Sequence, residues 1–158
     1  MPSPEHAASL ERLLSRAAEE CETKQGIWFG RGLPQALRNA IDLHGEGAKQ
    51  APAEIAFIEV SAVSPQGRAV SDTVPSGLDC PVVGLSQSSI EQLGSLVCPR
   101  GDTGVQITRL ICPFAVFDFS AEGLRVREIR HGLTAADLQA KLPTTLWSGP
   151  DLKELGTH

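Results

Sequence analysis

Three features of this chain could carry chemistry: a carboxylate in an unusual place, a glycine turn and a set of thiols. Glu59 lies inside the apolar run Ile55-Ala56-Phe57-Ile58-Glu59-Val60. A carboxylate among apolar neighbours is costly unless it is paired. It can be paired structurally, or it can stand at the carboxyl end of a strand, where open α/β sheets place their ligand sites. In the second setting Glu59 is a candidate acid or base. Gly30-Arg31-Gly32-Leu33-Pro34 sits where an apolar run feeds a helical pattern. Free backbone N–H groups at such a place can face an anion, which makes Gly30, Arg31 and Gly32 candidates for cofactor binding; the alternative is a plain tight turn. It is not the dinucleotide fingerprint, because Gln35 stands where the third glycine belongs.

The thiols are Cys21, Cys80, Cys98 and Cys112. A nucleophilic thiolate needs a neighbouring cation or helix N-terminus to lower its pKa, and no sequence neighbour supplies one. Free cysteine also serves as a small buried hydrophobe. Cys80, Cys98 and Cys112 remain candidate thiols, with Cys80 put forward beside Glu59. No C-x-x-C occurs, and the four histidines do not space with the cysteines as metal ligands do, so no metal site is expected. His131, next to Arg130, could meet a phosphate or lie in a solvated loop.

Elements must hold these groups in place. Ser3 and Pro4 can open a helix in which Leu10, Leu13, Leu14, Ala17 and Ala18 recur at helical spacing. Ile27-Trp28-Phe29 predicts a strand, and Pro34 can begin a second helix with Leu37, Ala40 and Ile41 on its buried stripe. The segment 44–52 is loop by composition. Residues 55–60 predict a strand, Ser64 to Gly67 a turn, and Ser71 to Asp79 a loop. Residues 81–85 predict a strand buried on both faces, and Leu110-Ile111 and 114–117 two apolar runs broken at Cys112-Pro113. Leu124 to Ile129 alternates like a half-exposed strand, and Thr134 caps a last helix through Leu138 and Leu142. Strands interleaved with helices indicate one α/β domain over residues 1–158, an open, mainly parallel sheet flanked by helices.

Composition narrows the function. The 158 residues are 41% hydrophobic and 21% charged, which is globular composition. Five Phe, two Trp and no Tyr leave an aliphatic core. The net charge of −5 is spread along the chain without a basic stripe, and aromatics to stack bases are scarce, so nucleic acid is not an expected partner. Uncharged runs fall short of the ~20 apolar residues of a membrane span, and no membrane association is expected. The start, Met1-Pro2-Ser3-Pro4-Glu5-His6, lacks the basic and apolar regions of a secretory signal. The cysteines are therefore read as reduced and the protein as cytoplasmic.

The C-terminal third carries a resemblance. Residues 104–119, with Leu110-Ile111-Cys112-Pro113 and Phe114-Ala115-Val116-Phe117, are followed by Glu122-Gly123-Leu124, Arg127-Glu128, Gly132-Leu133-Thr134 and Ala140-Lys141. This order resembles the end of the B (beta) subunit of class I coenzyme A transferases. Upstream, Gly30-Arg31-Gly32-Leu33-Pro34 is similar to that family's Gly-x-Gly-Leu-Pro turn. The run from Ile55 to Gly67 is similar to its Leu-Gly-Ala strand. Three blocks in the right order cover most of the chain.

The departures are specific. The family's catalytic glutamate lies in a Ser-Glu-Asn-Gly motif between the glycine turn and the Leu-Gly-Ala strand. Here only Arg38 to Glu54 separates those blocks, and no Glu-Asn-Gly occurs. Cys112-Pro113 replaces the usual Thr-Asp, and Glu59 takes a glycine position of the family strand. The resemblance thus implies a shortened B-subunit-like domain. It also implies an acyl-CoA or related thioester as substrate or ligand, with no covalently bound cofactor. The partner would be an A-type subunit or a second copy of the chain. Family chemistry runs through a glutamyl-CoA thioester formed by attack of a carboxylate on the acyl carbonyl. Loss of the motif leaves altered chemistry (transfer, hydrolysis or decarboxylation) or a non-catalytic scaffold, regulatory or thioester-binding role.

Overall fold

A computed structural model of the chain describes residues 4–21, 27–30, 32–42, 54–70, 80–97, 105–120, 123–142, 145–149 and 152–155. Side-chain placement is described from Leu10 onward in the first helix and up to Asn39 in the second. The loops expected at 44–52 and 71–79, Arg31, Cys98, and the side chains of Ala40 and Ile41 lie outside what is described.

The main sheet grows outward in chain order. β1 (Ile27–Phe29), β2 (Ile55–Glu59), β5 (Val82–Leu85) and β7 (Arg109–Ile111) are parallel neighbours. β8 (Ala115–Ser120) and β9 (Gly123–Arg130) then continue the sheet antiparallel. Two short strands, β10 (Leu146–Trp147) and β11 (Lys153–Leu155), line the outer side of β9, both parallel to it. The sheet is mixed but mainly parallel over the half that carries the candidate site, as expected. Its Cys112-Pro113 break is a tight hairpin turn, closed by the Cys112 N–H donating to the Ala115 carbonyl at 2.9 Å.

Side chains alternate across each strand, so the sheet has two different faces. One carries Ile55, Phe57, Val83, Leu85, Ile111 and Val116 and is covered by two helices. These are α1 (Pro4–Cys21), through Leu13 and Ala17, and α2 (Leu33–Asp42), through Leu37. Phe29 and Phe57 stack there with centroids 6.0 Å apart. Each fully buried Leu or Phe of this kind contributes about 1.5–3 kcal/mol. The opposite face carries Ala56, Ile58, Val60, Val82, Leu110, Cys112 and Phe117. It is covered by α3 (Leu93–Leu96), α4 (Ala135–Gln139) and a second, three-stranded antiparallel sheet. That sheet, β3 (Ala62–Val63), β4 (Arg68–Val70) and β6 (Val105–Gln106), is not legible in the sequence, because two- and three-residue strands carry no period. The expected turn at Ser64–Gly67 is the tip of its hairpin, with the Gly67 N–H donating to the Ser64 carbonyl at 2.9 Å.

Two helices differ from expectation in length. The first runs to Cys21, one turn beyond its clearest apolar stripe. The last stops at Gln139, leaving Leu142 beyond it, after a capping box in which Thr134 and Asp137 satisfy each other's backbone N–H groups.

Candidate functional site

The carboxyl ends of the parallel strands bring Glu59 and the glycine turn together. Gly30 extends β1 by one further bond, its N–H reaching the Phe57 carbonyl at 2.9 Å. Gly32 then accepts from Gln35 N–H at 2.9 Å and Ala36 N–H at 3.3 Å, the position of a residue that caps the start of α2. A glycine there has no side-chain oxygen to offer the orphan N–H groups of the first turn. Glu59 supplies it from the next strand. Its Oε1 accepts from the Leu33 N–H at 3.1 Å.

The alternation of β2 explains why this carboxylate arrives. Ile55 and Phe57 point to the helix-bearing face, and Glu59, two residues further, leaves the sheet on that same side at the foot of α2. The fit is close. Gly32 has φ +80°, and a Cβ placed on it would lie 2.8–2.9 Å from the three carboxylate atoms of Glu59. Gln35 closes the turn from the other side, its Nε2 donating to the Gly30 carbonyl at 2.9 Å. Nothing in the sequence singled out Gln35 for this part.

The structure does not bring Cys80 to this place. Cys80 precedes β5 at the amino end of the sheet, five residues before Leu85, which pairs with Glu59. At about 3.3 Å per residue the two are ~16 Å apart, so Glu59 and Cys80 cannot act on one atom. Cys112 does lie at the carboxyl end, after β7, but it is fully buried and burial pushes its thiol well above the ordinary value. Cys21 is pushed up to about 12, first by burial and then by the charge of Glu20. Neither is a thiolate near neutrality. His131 is exposed in the turn after β9. Among the described residues no cluster of His, Cys, Asp and Glu could hold a metal ion.

The neighbouring strand adds hydroxyls. Ser86, buried at the end of β5, lies 2.8 Å from the Ser88 hydroxyl and also accepts the Ser88 N–H at 3.2 Å. This is a local turn closure, and its polar atoms are satisfied within it.

A network of paired charges lies across the same face, under α1 and over β7 to β9. Arg16, on α1 and nearly fully buried, donates Nε to Glu128 at 2.9 Å and Nη1 to Glu20 at 2.8 Å. Burial opposes its charge, but the two carboxylates outweigh that and raise its pKa above the ordinary arginine value. Arg109 donates to Asp118 at 2.6 and 3.1 Å and to both oxygens of Glu20 at 3.1 Å. The hydrogen bonds to Asp118 are the main reason its pKa is raised. Arg127 reaches Asp118 at 3.2 Å. A cleft of about 690 Å³ opens beside this network, lined by Glu20, Asp118, Arg109, Arg125 and Arg127 over Ile55 and Val83. The sequence held one signal for it: once residues 109–118 fold as a hairpin, Arg109 and Asp118 fall opposite each other.

No protein-family model matches the sequence, and no curated protein matches it. Solved structures do match. The decarboxylase AibA/AibB superposes with a TM-score of 0.68 over 94% of this chain and 88% of that chain, at 12% identity. Glutaconate coenzyme A-transferase from Acidaminococcus fermentans gives 0.66 over 95% of this chain and 89% of that one, at 10% identity. The fold is that of a coenzyme A-transferase subunit. IpdAB of Rhodococcus jostii RHA1 matches with 0.64 over 100% of this chain and 90% of that chain, at 12% identity. The names AibA/AibB and IpdAB pair an A with a B component. The α/β architecture expected from the sequence, and its coenzyme A-transferase likeness, therefore stand. Among the described residues no helix is long and apolar enough to cross a membrane.

Proposed function

We propose that this chain is a coenzyme A-transferase-like subunit of the cytoplasm that engages an acyl-CoA or a related thioester together with an A-type partner. What carries the reading is the carboxyl edge of the parallel sheet. There a coenzyme A-transferase fold holds one carboxylate, Glu59, against the glycine turn. In a sheet of this kind the ligand crevice lies outside the carboxyl ends of the strands. Glu59 is then the group nearest a bound acyl thioester, as an acid or base. The thiols of Cys21 and Cys112 stay protonated and buried.

One observation favours the alternative of a non-catalytic, thioester-binding or scaffolding subunit. Glu59 already serves as the cap of α2, and the chain has no Glu-Asn-Gly motif. On either reading the partner completes the site, and the chain forms no glutamyl-CoA thioester by itself.

The test is intact-mass spectrometry after mixing with acetyl-CoA or acetoacetyl-CoA, with and without an A-type partner subunit. The expected result is no mass increase on any glutamate of this chain. An added CoA mapped to a glutamate of this chain would restore ordinary transferase chemistry.

A further inference from the structure

The glycine turn resembles a phosphate cradle in sequence, and coenzyme A carries phosphates, so the fit of one to the other can be checked directly. It fails. The space a cradle would offer, over the Cα of Gly32, holds the carboxylate of Glu59, with all three of its atoms 2.8–2.9 Å from where a Cβ would stand. The first N–H of α2 is spent on the same carboxylate at 3.1 Å. Gln35 and Ala36 direct their N–H groups to the Gly32 carbonyl, and the Gln35 side chain fastens the turn back to Gly30.

We infer that Glu59 is a built-in anion that keeps phosphate and other external anions away from Gly32 and Leu33 at the start of α2, so that the phosphates of coenzyme A are held elsewhere on the carboxyl edge. A second anion at the turn would stand within contact of an exposed carboxylate of like charge. It would also compete against a group tethered to the adjacent strand, whose effective concentration is far above that of a free ligand. Removing the carboxylate leaves a helix N-terminus with a free N–H and a glycine without Cβ, the arrangement that does accept anions.

The inference deepens the proposed function by saying where on that edge the ligand's phosphates do not sit, and its test separates the two. Backbone amide spectra of the chain are titrated with inorganic phosphate and, separately, with acetyl-CoA, for the native protein and for Glu59→Ala and Glu59→Gln. In the native protein the Leu33, Gln35 and Ala36 amides should not move with phosphate. In Glu59→Ala the Leu33 amide should shift saturably with millimolar phosphate. Glu59→Gln, which keeps an acceptor oxygen in the same place, should stay closed. A saturable phosphate shift at Leu33 in the native protein would overturn the inference, as would a silent Leu33 in a folded Glu59→Ala. If Glu59→Ala fails to fold, Glu59→Thr, which keeps a strand-forming residue but withdraws the carboxylate, takes its place with the same saturable Leu33 shift expected and the same silence overturning the inference. Acetyl-CoA shifts at Val60, Ser61 or Ser86 to Ser88, with a silent turn, support both readings. No acetyl-CoA shift anywhere, with or without an A-type subunit, removes the proposed function and leaves the phosphate result standing.

Discussion

The two sides of the helix-bearing face use carboxylates in opposite ways. Under α1, on β7 to β9, Glu20, Asp118 and Glu128 each meet an arginine, and Arg16 is buried between two of them. At the carboxyl end Glu59 is exposed and rests on a backbone N–H and a glycine. The first arrangement fixes α1 to the hairpin of β8 and β9, and its charges cancel within it. The second commits little energy and leaves a carboxylate at the edge of the sheet. Charge that is consumed by a buried network stabilises the fold, whereas charge held by one amide remains available to a ligand or partner.

The comparison can be broken most sharply at Arg16. Arg16→Met removes one partner of a buried network and strands Glu128, which should cost about 3–5 kcal/mol in urea denaturation. A loss below about 1 kcal/mol would mean that Leu13 and Ala17 hold α1 without the ion pairs. Gly32→Ala should cost less, about 1–2 kcal/mol for forcing a Cβ into a left-handed backbone. The carboxylate it meets can swing aside, so the same substitution in a Glu59→Ala background should cost nearly the same. A coupling above about 0.5 kcal/mol would show that Glu59 is gripped more firmly than one hydrogen bond implies.

The thiols sharpen the contrast through pH. Cys21 and Cys112 have raised folded-state pKa values, that of Cys21 reaching about 12. The unfolded chain loses those protons first, so their contribution is complete below the ordinary thiol value near 9 and is lost as pH rises toward 12. Stability should therefore fall above pH 9, by up to about 1.4 kcal/mol per pH unit for each thiol. Cys21→Ala should flatten that fall. A thiol-reactive reagent at pH 8 should leave both unmodified in the native protein, and rapid reaction at Cys112 would refute its burial. The smallest effect is expected of Glu59→Gln, which should change stability by no more than about 0.5 kcal/mol while leaving the Leu33 amide capped.

Much of the frame was legible because period and punctuation are local. The apolar stripe of α1, the uninterrupted run of β2, the alternation of β9 and the Thr134 cap all follow from residues a few positions apart. Glu59 was singled out for the same reason, as one charge in an apolar strand. The small sheet of β3, β4 and β6 was hidden because its strands are too short to have a period and its β4–β6 pairing joins residues about 36–38 positions apart.

The sequence by itself determined the α/β class, the aliphatic core and an unusual carboxylate in the second strand, since composition, side-chain alternation and the cost of burying charge act within single elements. Only the tertiary structure decided what that carboxylate does. The Leu33 N–H lies 26 positions away from Glu59 in the chain, and Cys80, although 21 positions after Glu59, precedes its strand at the far end of the sheet. Both facts depend on the parallel pairing of β1, β2 and β5. Parallel strands set all their carboxyl ends on one edge, so distance between side chains follows position along a strand rather than separation in sequence.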